Sequence, residues 1–239
     1  MILKRFLDFF FSAILLIVLL PLMVVVSIII SLESPGAPIY VSERVGRNCK
    51  KFKFFKFRSM RKKSDKELEF LKNRNTYLDV YADPEIINLP QQLTEVMLYS
   101  DNYKISEYDY LQEVAKEINS SFIKVEKDPR ITRFGKFIRN TSIDELPQLI
   151  NILKGDMSFV GNRPLSMAEA ELLTTNKFAK RFDCPAGLTG LWQTRKDKDN
   201  MTPETRRRLD IEYAENSSLT YDIKLIISTI AQVLTKNNE

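Results

Sequence analysis

The sequence predicts an α+β fold, mainly helical. An N-terminal re-entrant membrane hairpin, helix-break-helix, is expected to carry a cytoplasmic domain with a small β element. Three observations predict this. An uncharged apolar run extends from Asp8 to Glu33 and holds Pro21 in its middle. Apolar residues recur at helical spacing at Leu146, Leu149, Ile150 and Leu153, and again at Ile223, Ile226, Ile227, Ile230, Val233 and Leu234. Between the membrane run and these stripes, Phe55 and Phe57 alternate with Lys56 and Arg58, the period of a strand or hairpin. The chain thus divides into four segments: the hairpin at 1–35, a basic-aromatic strand or hairpin segment at 36–64, an acidic insert at 65–127, and the core domain at 128–239 with a C-terminal amphipathic helix.

The apolar run is long enough for a bilayer, which takes about 20 apolar residues. It exceeds the apolar region of a secretory signal, and no small-residue cleavage site comes after it. A single spanning helix is the stronger rival. Against it, Pro21 removes a backbone bond in mid-run. Both flanks are also basic, with Lys4 and Arg5 before and Arg44, Arg47, Lys50, Lys51 and Lys53 after. Positive charge marks the cytoplasmic side. A helix that dips in, bends at Pro21 and returns keeps both clusters inside, and the backbone freed at the bend keeps the insertion shallow.

Residues 34–38, Ser-Pro-Gly-Ala-Pro, read as a turn leaving the membrane. The basic-aromatic run after it suits an anionic lipid surface, or phosphate binding by Lys56 and Arg58. Nucleic acid is not expected as a partner, since no recognised module accompanies the run. Between Asp65 and Lys127 there are 13 Asp or Glu and 7 Lys or Arg, a balance of −6; the whole chain carries +5, so the rest carries +11. A basic body with an acidic insert points to anionic partners. Helices are expected in the insert at 66–73, 91–99 and 107–118. Its expected roles are substrate choice, homo-oligomer formation, or simply a solvated surface.

The chain has two cysteines, Cys49 and Cys184, and no histidine. That excludes a disulfide framework, a Cys/His zinc site and a Ser-His triad, and fits a reducing compartment. Chemistry must then come from carboxylates, Lys, Arg, Tyr or an oxygen-bound metal. The richest stretch is 140–164, NTSIDELPQLINILKGDMSFVGNRP. Ser142 and Glu145 have capping-box spacing, Pro147 belongs in a first helical turn, and Gly155 is a helix stop. Asp144 and Glu145 are therefore expected at a helix N-terminus, whose positive end would keep Asp144 ionised and welcome a phosphate. On the residues alone, ordinary capping is the better explanation of the pair. Arg163 adds a fork suited to phosphate, and Arg139 is close enough in sequence to reach the same group or to pair on the helix surface.

The string TSIDELPQLINILKGDMSFVGNRP resembles the signature of the bacterial sugar transferase family, the monotopic phosphoglycosyl transferases. KFRSM at 56–60, DPRITRFG at 128–135 and GLTGLWQ at 187–193 extend the likeness over the chain except the insert. Departures are Leu20 before Pro21 where Ser is common, Ser42 for Gln, Cys49 for Gly, Asn162 for the first Pro of GPRP, and no Gly-Arg after Gln193, where Arg195 is the nearest stand-in. The resemblance implies the re-entrant hairpin at the inner membrane with the catalytic domain on its cytoplasmic face. It implies transfer of a sugar-1-phosphate from a UDP-sugar to undecaprenyl phosphate, a polyprenyl phosphate lipid, with release of UMP. This would be a first membrane step in capsule or exopolysaccharide assembly. Asp144 would be the nucleophile, forming an aspartyl sugar-phosphate, and a ligand of Mg²⁺. Glu145 would assist, and Arg163, Arg139, Lys56, Arg58, Gln193 and Arg195 would bind substrate. The alternative is a non-catalytic, membrane-anchored scaffold of a polysaccharide assembly system.

Overall fold

The computed structural model describes residues 2–61, 97–99, 104–106, 130–167, 169–170, 179–195, 197, 201 and 203–236. The chain divides into two units, one of residues 1–62 with 130–239 and one of residues 63–129. In the smaller unit the described residues form an antiparallel pair. In it, β3 (Met97–Tyr99) lies against β4 (Lys104–Ser106), with Leu98 opposite Ile105. Of the helix expected over 91–99, residues 97–99 are strand, because Met-Leu-Tyr pairs with Lys-Ile-Ser instead of continuing a helical stripe, and 91–96 lie outside the described residues. The helices expected at 66–73 and 107–118 lie outside the described residues.

In the larger unit the apolar run is one helix, α1 (Ile2–Glu33), which passes through Pro21 without interruption. The predicted helix-break-helix is not seen. Pro21 is exposed, so the hydrogen bond it forgoes lies on the face turned away from the body. The inward stripe passes it undisturbed. That stripe is Ser12, Leu16, Leu19, Met23, Val26 and Ile30, alternating steps of four and three residues. On the other faces Phe6, Ile17, Val18, Leu20 and Ile28 are each more than half exposed.

Strands β1 (Ile39–Val45) and β2 (Lys51–Phe57) form the antiparallel hairpin that the Phe/Lys alternation predicts, from Ile39 opposite Phe57 to Val45 opposite Lys51. Phe52 and Phe54 join Leu149, Ile152, Met157 and Ala186 in one core. Phe57 points into another with Met23, Val26, Ile30 and Ile138. A fully buried Phe stabilises by about 1.5–3 kcal/mol, so β2 is fixed on both faces.

After the insert come α2 (Arg133–Asn140), a 3-10 turn at Ile143–Glu145, and α3 (Gln148–Lys154). Thr132 caps α2 by accepting from Gly135 N–H at 2.9 Å. The capping box expected at Ser142 does not form: Ser142 has φ 58° and makes no side-chain cap bond. The physical reason is Pro147. In a helix begun at Ser142 its ring would meet the carbonyl four residues back, so the α-helix starts only after it. The buried face of α3 is Gln148, Leu149, Asn151 and Ile152, while Ile150 of the expected stripe is outward. Strands β5 (Met157–Val160) and β6 (Ala186–Thr189) pair in parallel. The glycines of GLTG serve close approach: a Cβ on Gly187 would lie 2.1 Å from the Gly161 nitrogen.

Two helices close the unit, α4 (Pro203–Asn216) and α5 (Leu219–Lys236). The helical spacing of the isoleucines of α5 suggests core packing, with lying on a membrane as the alternative, and the core role is not seen. Ile223, Ile226, Ile227 and Ile230 are exposed, whereas Asp222 and Thr229 face inward to Tyr213 and Thr189. Leu225 supplies the apolar contact with the body.

Both ends of α1 are bonded to this same unit. Lys4 Nζ donates to the Val160 carbonyl at 2.8 Å and to the Tyr213 hydroxyl at 3.0 Å, and pairs with Asp222 at 2.7 Å. Arg5 donates to the carbonyls of Ile152 and Leu153, at the C-terminus of α3. A Cβ on Gly155, whose φ is 93°, would lie 3.0 Å from the Arg5 guanidinium. At the far end Glu33 accepts the Phe134 N–H at 3.0 Å. Lys4 and Arg5, expected to mark a membrane side, thus serve the protein body.

Candidate active site

The 3-10 turn presents Asp144 and Glu145 to Lys56 of β2. Ile143 and Leu146 anchor the turn in the core around Phe57. Asn151 locks the next element, α3, to the hairpin. Its amide accepts from the Phe55 N–H at 3.1 Å and donates to the Lys53 carbonyl at 2.6 Å. It thereby continues the free edge of β2 as a strand would. Asn151 is fully buried, so α3 and β2 keep one register and Lys56 stays beside the turn.

Lys56 Nζ lies 2.6 Å from Glu145 Oε1 and 3.5 Å from Asp144 Oδ2. Asp144 is 7% exposed. Burial pushes its carboxyl above the usual carboxylate range; Lys56 opposes the rise, Glu145 adds to it, and Arg139 opposes it. The expectation that a helix end keeps Asp144 ionised is corrected here. Asp144 precedes α3 on a turn, and the group favouring its charge is an ammonium. Arg139 also donates through Nε to Ser59 Oγ at 2.7 Å.

The other predicted residues are placed elsewhere. Arg58 donates to the carbonyls of Ser34 and Pro35 at the C-terminal end of α1, at 2.5 and 2.9 Å. Gln193 keeps a buried amide oxygen without a hydrogen-bond partner, beside Gly190. Arg195 is exposed and acts on Tyr221. Arg163 is exposed and lies within electrostatic reach of Arg44 and Asp210. No hydrogen bond or ion pair joins any of these four to Asp144 among the described residues.

A buried polar node that the sequence reading missed supports Arg163. Arg181 pairs with Asp210 at 2.6 Å and donates to the Arg163 carbonyl at 3.2 Å. Asn162 donates to the carbonyls of Arg181 and Asp210, each at 2.9 Å. Pro, the family residue at this place, could make neither bond. Burial pushes the Asp210 carboxyl up to about 6 against the pull of Arg181 and Arg163. One missed element did carry a sequence signal: Ser166 and Glu169 form a reciprocal capping box.

Among the described residues no three or more His, Cys, Asp or Glu stand together as a metal cluster. Asp144 and Glu145 alone supply carboxylate oxygens on the turn. That donor set fits an ion that takes one or two protein carboxylates and completes its shell from substrate phosphates and water.

Comparison with known proteins identifies the family. The profile of the bacterial sugar transferase family matches residues 1–236. The UDP-galactose-lipid carrier transferase of Erwinia amylovora is 37% identical over 98% of this chain and 41% of its own length. The exopolysaccharide production protein ExoY of Rhizobium meliloti is 30% identical over 96% of this chain and 84% of its own. The UDP-glucose:undecaprenyl-phosphate glucose-1-phosphate transferase of Caulobacter vibrioides is 29% identical, over 98% and 71%. The chain spans about two fifths of the length of the first curated relatives it matches. On the family match, and on a signature stretch that folds into a buried carboxylate turn facing a lysine, the chain belongs to the bacterial sugar transferase family.

Proposed function

We propose that this protein is a phosphoglycosyl transferase that moves a sugar-1-phosphate from a UDP-sugar to undecaprenyl phosphate, releasing UMP. The observation that carries the reading is the Asp144 carboxyl, buried on a turn against Lys56 in the same unit that holds the apolar α1. The relatives named as transferases to a lipid carrier or to undecaprenyl phosphate support it.

In this mechanism an Asp144 oxygen attacks the phosphorus that bears the sugar. The P–O bond to the nucleotide breaks, its electron pair stays on the nucleotide phosphate, and UMP leaves. An oxygen of the lipid phosphate then attacks the same phosphorus, the acyl-phosphate bond breaks, and the Asp144 carboxylate returns. Lys56 holds the carboxylates in place and offsets the gathering negative charge. Glu145, less buried, orients Lys56 and faces the incoming phosphate. Mg²⁺, held by Asp144 with Glu145 nearby, would supply charge neutralisation on the diphosphate.

The second substrate is a membrane lipid, and we place α1 in a single leaflet with both ends on the cytoplasmic side of the inner membrane. The bonds at Lys4 and at Glu33 to one unit support this. The outward isoleucines of α5 belong to the same lipid-facing surface, since Lys4 ties the first turn of α1 to Asp222.

The test is UMP release from UDP-sugars by membranes carrying the protein, with Mg²⁺. Release should fall by on the order of a thousandfold or more in Asp144→Asn, a variant that keeps the shape but not the nucleophile. Wild-type rates in Asp144→Asn would sink the covalent mechanism. No release by the native protein from any common UDP-sugar would favour the scaffold.

A further inference from the structure

Residues 161–165 are pinned to the body through their main chain. Gly161 N–H donates to the Thr189 carbonyl at 2.9 Å. Asn162 N–H donates to the Pro185 carbonyl at 3.2 Å, and the Asn162 carbonyl accepts the Gly187 N–H at 2.8 Å. Leu165 and Val45 exchange bonds of 2.9 and 3.3 Å, which tie the far end of the segment to β1. Gly161, Asn162, Pro164 and Leu165 are buried, and Arg163 alone of the five is exposed. The segment is a rigid mount for one guanidinium.

Side chains complete the mount. The Asn162 amide, 4% exposed, donates through Nδ2 to the Arg181 carbonyl in the 3-10 turn at Ala179–Asp183 and to the Asp210 carbonyl in α4, each at 2.9 Å. Arg181 Nη2 in turn reaches the Arg163 carbonyl at 3.2 Å and Asp210 Oδ2 at 2.6 Å. Four bonds thus close a ring among three segments that are 18 to 48 residues apart in sequence. A proline at 162 would fix φ through its ring. Asparagine leaves that rotation free, and the two amide bonds hold it instead.

We propose that Asn162 is a positioning residue: its amide does the work of the family's proline ring and sets the direction from which Arg163 meets the donor. What Arg163 binds rests on the transfer reading above; the clamp rests on the bonds themselves. Arginine is long, so a small turn of its own backbone carries the guanidinium away from a phosphate while the fold persists. Misplacement of a binding group is costly even when its chemistry is intact.

The experiment uses the full chain in phospholipid nanodiscs. UMP is the equilibrium probe by calorimetry, and hydrogen exchange of residues 161–165 is followed by mass spectrometry. Asn162→Ala should speed exchange across the segment and weaken UMP binding by about tenfold. Asn162→Pro, which fixes φ without the amide, should recover most of the affinity. In an Arg163→Ala background, Asn162→Ala should change UMP affinity by less than about twofold, because its effect passes through the arginine. Thermal midpoints check that each variant is folded at the assay temperature. Equal losses in the two backgrounds would overturn the proposal, since Asn162 would then act on the protein at large. So would unchanged affinity in Asn162→Ala, or an Asn162→Pro variant as weak as Asn162→Ala. Binding is read without turnover, so the two readings fail separately. An Asn162 effect on UMP that depends on Arg163, in a protein that transfers no sugar, would leave the positioning role standing and remove the transfer reading.

Discussion

In the proposed mechanism Asp144 acts only as a carboxylate, yet its burial favours the protonated form. Lys56 works in the opposite direction at 3.5 Å. A buried nucleophile of this kind is active above its pKa, and activity is lost as pH falls through it. Lys56→Met removes an opposing charge, so the Asp144 pKa should rise further and the acid limb of the kcat/KM profile should move to higher pH. The loss at pH 6 should exceed the loss at pH 8; an unmoved acid limb would show that Lys56 does not tune Asp144. Asp144, Glu145 and Lys56 were legible in the sequence because they sit in two short unbroken strings. Asn162 and the Arg181–Asp210 pair were not. Their partners are far away in sequence, and nothing local marks a residue for a crossing that only the fold creates. The role of Arg58 was hidden for a related reason: the carbonyls it meets at the end of α1 carry no residue-type label.

At the scale of elements, the joint between α3 and β2 decides whether the site exists. It spans 96 residues between Asn151 and Phe55. Asn151→Ala would leave the Phe55 N–H and the Lys53 carbonyl without their partner. Each unsatisfied buried backbone group costs about 1–3 kcal/mol. Thermal unfolding should show a loss of about 2–4 kcal/mol, and turnover should fall with it. An unchanged midpoint would mean that water replaces the amide. The β1–β2 hairpin was readable from alternation because its two faces meet different neighbours. The β5–β6 pair was not, since Met157–Val160 is buried on three of four positions and lacks a strand period. The 140–155 stretch was readable as helical but not as two pieces. Its apolar spacing suits one helix, and only the steric demand of Pro147 divides it.

At the scale of the whole molecule, α1 is long and apolar enough to cross a membrane, yet it packs along its own domain from Lys4 to Glu33. The sequence displayed the uncharged run and the basic flanks. It could not display that Lys4, Arg5 and Asp8 have partners in residues 152–222. If both ends lie on the cytoplasmic side, a cysteine placed at Leu3 should resist a membrane-impermeant thiol reagent applied to intact cells. Cys49 is exposed, so it is replaced by Ser, and a cysteine at Tyr40 serves as the second reporter. Both should label only after the membrane is opened. Labelling of either one in intact cells would establish a spanning helix instead.

The attachment of Arg5 to the end of α3 also imposes an order in time. Residues 2–33 leave the ribosome long before Ile152, Val160, Tyr213 and Asp222 have been made. During that interval the first two turns of α1 carry two cations and a carboxylate without the partners they have in the finished fold, and a lipid surface suits its exposed apolar faces. On the membrane placement proposed above, synthesis delivers the helix to the bilayer first. The domain then completes itself against that helix, and the later-made Tyr213 and Asp222 close the polar contacts at the helix's beginning.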